Sequence, residues 1–257
     1  ALLATIGFTG AVLGMATVLA VILVAVLIFM PAGLPKGNKG AKFTEVFYMS
    51  PNVNWLSAAR VVLFGARDVW FVVGIPIYFY ATLSDGTEEG NRTSFFLIGT
   101  FMAIWVILYG LVQANAPRIL NAKSRTTAEL IAATRLWAWA LALVPGVLAV
   151  AALLANGPND WLTLSLVMGL LLFGALFAIN SSLHSFLILL FTKAERVTLD
   201  VGFYYMANAA GRLIGTLASG LTYQIGGLPL MLAIAAGMVA LSAIAVSFLK
   251  PEEENMG

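Results

Sequence analysis

Seven long apolar stretches alternate with shorter polar segments along the chain. A bilayer core about 30 Å thick requires about 20 consecutive apolar residues in a helix, and each stretch meets that length. They cover approximately residues 4–29, 58–82, 94–116, 130–155, 162–190, 201–224 and 227–249. None shows the period-2 alternation of outer-membrane strands. The pattern predicts an all-α fold, a polytopic transmembrane helical bundle of about seven spans.

Composition supports a membrane protein and excludes several functional classes. Hydrophobic residues make up 61% of the 257 residues and charged residues 10%, against roughly 45–50% and about 25% in soluble domains. With no cysteine and one histidine, neither a thiolate nor a histidine-cluster metal site is expected. A net charge of +2 gives no reason to expect a nucleic-acid partner. We therefore predict no cofactor or metal, and the lipid bilayer as a partner.

A segment rich in Gly, Pro and Lys separates the first span from the other six. Residues 31–57 are predicted to be a central linker between one transmembrane helix (1–30) and a six-helix bundle (58–250), with a short tail at 251–257. The odd number of spans and the start without methionine lead us to expect the carboxyl-terminal part of a longer protein.

Basic residues predict the orientation. The loops after the first, third and fifth stretches and the start of the tail contain Lys36, Lys39, Lys42, Arg118, Lys123, Arg125, Lys193, Arg196 and Lys250. The alternate loops contain only Arg92, beside acidic residues. Because cytoplasmic loops carry the excess of Lys and Arg, we predict an inner-membrane protein that starts outside, with a cytoplasmic tail and a cytoplasmic 31–57 linker.

Charged residues inside the predicted spans are candidates for function, since each costs about 2.5–3.5 kcal/mol on insertion scales. These residues are Arg67, Asp68, Arg135 and Arg212. Three arginines against one aspartate favour an anionic substrate, because the guanidinium fork matches carboxylate and phosphate oxygens. Arg60 and Asp200 lie at the ends of predicted spans, where their side chains can reach the interface, and are discounted.

Each of these charges also has a structural interpretation. Arg67 and Asp68 are about 100° apart on a helix and are predicted not to face one point. Asp68 either couples transport or neutralises an arginine on another helix. Arg135 lies near the cytoplasmic end, where a headgroup or loop partner is favoured. Arg212 lies near mid-span, where a substrate or coupling role is favoured.

The sixth stretch combines a small-residue face with a polar stripe. Small residues recur every four positions at Ala207, Gly211, Gly215 and Ser219, a pattern that allows close helix packing. The polar stripe contains Tyr205, Asn208, Arg212, Thr216, Ser219 and Tyr223. We predict that one face packs and that the other lines a wet cavity, with Tyr205 and Asn208 as candidate substrate ligands.

Other spans contribute fewer candidates. Gly74 and Pro76 in the second span, and Pro145 and Gly146 in the fourth, predict breaks that kink the helices, as in the moving helices of transporters. Tyr78 and Asn180 are further candidate substrate ligands, although mid-span aromatic residues more often pack. His184 is a candidate for coupling, although a lone buried histidine is more often structural.

Rival classes fit less well. A retinal protein needs a lysine in its last span, and residues 227–249 contain none. An enzyme is not predicted, because no acid within its span orients His184 toward the neighbouring serines. A channel would need pore motifs or charged rings, and neither is visible. A seven-helix receptor-like sensor stays open as an alternative.

Several segments resemble a known family. One span, a basic linker and six further spans resemble helices six to twelve of the major facilitator superfamily, and residues 204–215 (YYMANAAGRLIG) are similar to its eleventh helix. Segments similar to organoarsenical efflux permeases are 64–73 (FGARDVWFVV), 109–114 with 116–118, and 177–185 (FAINSSLHS). Two departures are the missing first five helices and a 118–125 loop that only faintly matches the superfamily's loop signature.

The resemblance implies efflux of 1-arseno-3-phosphoglycerate, which forms when glyceraldehyde-3-phosphate dehydrogenase uses arsenate in place of phosphate. It also implies a functional link to that dehydrogenase, the missing amino-terminal helices as a partner, and alternating access of two bundles around a midplane site. The small, multiply anionic substrate agrees with the arginine excess. A multidrug or other organic-anion exporter of the same superfamily is the alternative.

Overall fold

The computed structural model describes residues 2–30, 50–193 and 195–251. Regular structure in these ranges is helical throughout: α1 (Leu2–Phe29), α2 (Pro51–Phe71), α3 (Gly74–Leu83), α4 (Glu88–Ile119), α5 (Thr127–Ala155), α6 (Asp160–Leu190) and α7 (Val197–Val246), with a 3₁₀ turn at Ala122–Ser124. Six helical stretches, α2 and α3 counting as one, are long and apolar enough to cross a membrane. The prediction of a multi-pass, all-α membrane protein is confirmed.

Short polar side chains fix where several helices begin. Ser50 caps α2 by accepting a hydrogen bond from the Val53 amide, and Thr126 and Glu129 form a reciprocal capping box at α5. The Ser50 cap places 51–57 in the first two turns of α2, so the predicted linker was seven residues too long. Residues 31–49 of that linker and the tail beyond residue 251 lie outside the described residues.

The second predicted span is broken where its sequence indicated. α2 ends at Phe71 and α3 begins at Gly74, with Pro76 in the first turn of α3, where its missing N–H is not required. By contrast, the break predicted at Pro145 and Gly146 is not present, since α5 continues through both residues as one helix.

The fifty-residue helix α7 is interrupted by two glycines. Gly226 has φ −143°, and Gly227 has φ 62° with ψ −158°, a combination that few residues other than glycine adopt. The first segment, 197–225, runs parallel to α2, since Gly211 lies against Val61 and Gly215 against Gly65.

The second segment of α7, which follows Gly227, runs the other way. Gly65 lies beside Met238, Ser242 donates a hydrogen bond to the Ala59 carbonyl (2.9 Å), and Asn52 exchanges two hydrogen bonds of 2.9 Å with the Lys250 backbone. Residue numbers thus fall along α2 as they rise along this segment. The two segments of α7 are antiparallel, and α2 packs between them and α6.

Large apolar side chains dominate the exposed faces of several helices. On α5 the exposed large residues are Leu136, Trp139, Leu143, Val147, Val150, Leu153 and Leu154. On α4 they include Ile104, Val106, Ile107, Leu108 and Leu111. Helix α1 exposes almost its whole described surface and packs mainly against α4. Faces of this composition suit lipid contact.

Candidate functional site

Two arginines and one aspartate meet near the end of α2, which is halfway along the span that α2 and α3 form together, and halfway along the first segment of α7. Arg67 Nε lies 2.7 Å from Asp68 Oδ1, and Arg212 Nε lies 3.1 Å from Asp68 Oδ2. One carboxylate oxygen therefore accepts a charge-assisted hydrogen bond from Arg67 on the same helix, and the other accepts one from Arg212 on α7. We call Arg67, Asp68 and Arg212 the mid-span cluster.

Glycines bring the two helices of the mid-span cluster together. A Cβ added at Gly211 would collide with the carbonyl oxygen of Val61, and one at Gly215 with that of Gly65. After Asp200, the buried face of this segment consists of Tyr204, Ala207, Gly211, Gly215 and Ser219. The predicted small-residue packing face is confirmed, and its close approach lets Arg212 reach Asp68.

The prediction that Arg67 and Asp68 do not face one point was wrong. Their Cα–Cβ bonds do diverge, but the Arg67 side chain is long enough to curve back to its neighbour's carboxylate. The Arg67 guanidinium also lies against two aromatic rings, 5.1 Å from the centroid of Phe64 and 5.4 Å from that of Phe177. A charge placed by helical angle alone can therefore be misassigned when its side chain is flexible.

The members of the mid-span cluster differ in exposure, with Asp68 buried and Arg212 half-exposed. The Asp68 side chain is 1% exposed and Arg67 14%, whereas Arg212 is 57% exposed. Two guanidiniums and one carboxylate leave one positive charge. A half-exposed arginine at mid-span is costly against hydrocarbon, so this face of α7 fits a water-filled cavity or another protein surface.

Most of the predicted polar stripe shares that face. Tyr205 and Thr216 are exposed beside Arg212, and Asn208 is half-buried with its Oδ1 unpartnered among the described residues. Ser219 is fully buried instead, because it also belongs to the packing face.

Asn180 and His184 lie inside the bundle on α6. Asn180 is fully buried and donates from Nδ2 to the Thr134 carbonyl at 2.8 Å, which ties α6 to α5. His184 is also fully buried, and neither of its ring nitrogens has a hydrogen-bond partner in the described ranges. In the described part of the chain, neither side chain forms a hydrogen bond or an ion pair with the mid-span cluster.

Tyr78 and Arg135 lie away from the cluster. Tyr78 is ten residues beyond Asp68, about 15 Å along a helix, and its hydroxyl is 3.0 Å from that of Thr163. It lines a cavity of about 320 Å³ with Asn156 and Tyr223. Arg135 is exposed on α5 and forms no ion pair within the described part of the chain.

The prediction that Arg60 lies at a span end and reaches the interface was wrong, since Arg60 is a buried cation. It is 4% exposed, and its NH1 donates to the Ser181 carbonyl at 3.2 Å and to the Ser181 hydroxyl at 3.1 Å. Its guanidinium lies 4.0 Å from the Phe64 ring centroid and 4.7 Å from that of Tyr204. The signal that could have found it is Ser50-Pro51, which starts the helix early and places Arg60 well inside the span.

Asp200 was likewise expected to reach the interface, and the structure buries it. It is 4% exposed, its Oδ2 accepts from the Thr192 hydroxyl at 2.6 Å, and its Oδ1 lies 3.6 Å from Arg196 Nε. These contacts hold the connection between α6 and α7 and account for its position.

The described residues contain no group of three or more His, Asp or Glu side chains placed to hold a metal ion. No protein-family model, curated protein or solved structure matches this chain.

Proposed function

We propose that this chain belongs to an efflux transporter of the major facilitator superfamily type and crosses the membrane seven times as helices six to twelve of that fold. The observation that carries the proposal is the mid-span cluster, with a net positive charge and a half-exposed Arg212 on an otherwise apolar body. The antiparallel segments of α7 support counting it as two crossings.

The geometry of the cluster suits reversible binding of an anion. Asp68 engages each arginine through Nε, so the terminal nitrogens of both guanidiniums remain for a ligand. Asp68 thus acts as a positioning residue, and the extra positive charge attracts an oxyanion. In the proposal two bundles rock alternately around this site, and the face of α7 that carries Arg212 lines the passage.

The proposed substrate is 1-arseno-3-phosphoglycerate, as the resemblance of the 64–73 and 177–185 segments implies. A cluster with net positive charge favours such an anion over a lipophilic cation. Neutral arsenous acid offers no charge to a guanidinium, and the chain has no cysteine to bind it. Export of this species would give resistance to arsenate that depends on glyceraldehyde-3-phosphate dehydrogenase.

The proposed setting is the inner membrane, with the α2 start, the α4–α5 and α6–α7 connections and Lys250 on the cytoplasmic side. Two alternatives remain: another organic-anion or multidrug exporter of the same superfamily, which the cluster allows, and a receptor-like sensor, which would bind without moving its ligand.

The test measures arsenic accumulation in cells that express the complete protein, with and without the dehydrogenase. We expect lower accumulation under arsenate only when the dehydrogenase is present, and no change under arsenite. Arg212→Lys keeps the charge but loses the fork, so efflux should fall while Arg135→Lys behaves as the parent. Protection against arsenite, or arsenate protection without the dehydrogenase, contradicts the organoarsenical assignment. A sensor would leave accumulation unchanged.

A further inference from the structure

Arg135 is an exposed cation on the surface of α5, and it forms no ion pair among the described residues. It lies eight residues after Thr127, about 12 Å from the start of the helix. The 29 residues of α5 extend about 44 Å, and a hydrocarbon core of about 30 Å leaves about 7 Å of helix at each end. Arg135 therefore starts about 5 Å inside the hydrocarbon. Because side chains lean toward the start of their helix, its guanidinium can reach back to the headgroup region.

An apolar groove between α5 and the second segment of α7 begins one turn beyond Arg135. The groove has a volume of about 460 Å³ and is lined by apolar side chains and glycines, among them Trp139, Gly146, Val150 and Gly237. From Trp139 to Val150 it extends about 16 Å along α5. One leaflet of the bilayer core, which is the depth of one acyl chain, measures about 15 Å. The groove therefore has the length of an acyl chain.

Arg135 and this groove share one face of α5. Arg135 precedes Trp139, Ala142 and Gly146 by four, seven and eleven residues, so the four residues lie within about 60° of one another around the helix. On the opposite wall, a Cβ added at Gly237 would meet nothing within 4 Å, so the groove is open there. A chain lying in the groove would have its end beside Arg135.

A second apolar groove follows the neighbouring side of α5. It lies between α5 and α6, has a volume of about 360 Å³, and includes Gly169 and Leu172 of α6 in its lining. Leu143 and Val147 line both grooves and are 67% and 65% exposed, so they form a ridge between the two. Two grooves on either side of one ridge suit a molecule with two chains. A second copy of this chain fits less well, because two-fold symmetry would bring its own Arg135 to the same face.

We propose that α5 holds an anionic phospholipid, with its phosphate on Arg135 and its acyl chains in the two grooves. The guanidinium fork matches two phosphate oxygens, and the net negative charge of the lipid neutralises the arginine. A zwitterionic lipid offers the same phosphate together with a cation of its own, so it binds more weakly. This inference depends on the membrane-spanning helices and not on the proposed transport.

The experiment counts bound lipids by native mass spectrometry of the complete protein. The protein is released from micelles that contain equal amounts of phosphatidylglycerol and phosphatidylcholine with identical acyl chains. Since one arginine near the membrane surface contributes about five-fold to the affinity for an anionic lipid, we expect the parent to prefer phosphatidylglycerol by about that factor. Arg135→Gln should bring the ratio of the two lipids close to one, whereas Arg135→Lys keeps the charge and most of the preference.

Arg118→Gln is the matched control for loss of a positive charge. Arg118 is exposed at the end of α4, and the short connection to α5 places it at the same membrane face as the start of α5. Arg118→Gln should therefore keep the parent ratio. In phosphatidylcholine micelles alone, Arg135→Gln and Arg118→Gln should both unfold at the Tm of the parent, which separates lipid binding from folding.

Gly237→Leu tests the groove with Arg135 intact. The added side chain fills the groove, so bound phosphatidylglycerol should fall several-fold, whereas Gly110→Leu on α4, where a Cβ also meets nothing within 4 Å, should leave it unchanged. A ratio that Arg135→Gln does not change, or that Arg118→Gln lowers equally, overturns the lipid site. Phosphatidylglycerol binding that Gly237→Leu does not reduce also overturns it, and dimers that Gly237→Leu dissociates would assign the groove to a second copy instead.

Discussion

The asymmetry of the mid-span cluster predicts unequal costs for removing its members. Asp68→Asn keeps the size of the side chain but removes the negative charge that two guanidiniums share at 2.7 and 3.1 Å. Arg67 would then be a nearly buried cation without a neutralising partner. Removing one member of a buried ion pair typically costs about 3–5 kcal/mol, and we expect Asp68→Asn to fall in that range.

Arg212→Gln should be much less costly. The Arg212 side chain is 57% exposed, and an ion pair in contact with water is screened and contributes about 0–1 kcal/mol. Asp68 also keeps its contact with Arg67 in this variant. We therefore expect Arg212→Gln to lower the free energy of unfolding by no more than about 1 kcal/mol while strongly reducing transport.

The measurement is the free energy of unfolding from denaturant titration in mixed micelles, for the two single variants and the double variant. Arg135→Gln serves as a control for loss of an exposed arginine. If Arg212→Gln destabilises the protein as much as Asp68→Asn does, or if transport lost in Arg212→Gln returns in the double variant, then Arg212 is a structural partner. The reasoning that assigns it to the substrate would then be refuted.

Three further predictions concern packing, pH and orientation. Gly215→Ala places a methyl group against the Gly65 carbonyl and should destabilise the protein by about 1–3 kcal/mol. In the control Gly220→Ala the added methyl group meets nothing within 4 Å, so this variant should keep the parent stability. Thermal unfolding compares the two variants, and equal effects would contradict the close helix contact. Hydrogen bonds from the Thr87 side chain, and to a smaller extent from its backbone, lower the pKa of Asp85. The stability that this carboxylate contributes is therefore present above its ordinary pKa of about 4 and is lost as pH falls through the lowered value. NMR titration of Thr87→Val should find a higher pKa for Asp85, and an unchanged pKa would exclude the side-chain hydrogen bond as the cause. In intact cells an impermeant thiol reagent should label a cysteine placed at Thr87 but not one at Ser124, and the reverse result would invert the proposed orientation.

The sequence predicted the helical spans and the packing face well, because both depend on local composition. Apolar length identified each helix, and small residues four apart identified the surface that contacts α2. The break at Gly226 and Gly227 falls at the boundary between the predicted stretches 201–224 and 227–249. None of these features requires knowledge of which helices become neighbours.

The candidate site was predicted less completely, because it depends on pairings between distant helices. Arg60 was set aside because apolar length placed the start of its span at 58, whereas the Ser50 cap starts α2 at Pro51. Asn180 proved to tie α6 to α5 through Thr134. Composition gives the number of interior charges, but only the packing of α2 against α6 and α7 decides which of them meet.

The ion pair between Asp68 and Arg212 joins residues 144 positions apart, and this separation has a consequence for biosynthesis. At about 5–20 residues per second, Arg212 is synthesised roughly 7–30 seconds after Asp68. The span that contains Asp68 has a mean hydropathy of 1.6, against 2.3 to 3.0 for the others. During that interval the least apolar of the described spans, which contains Asp68, is present without α7, the helix whose Arg212 pairs with Asp68. Early insertion intermediates of this protein should therefore depend on the translocon or an insertion chaperone to hold α2 until α7 emerges.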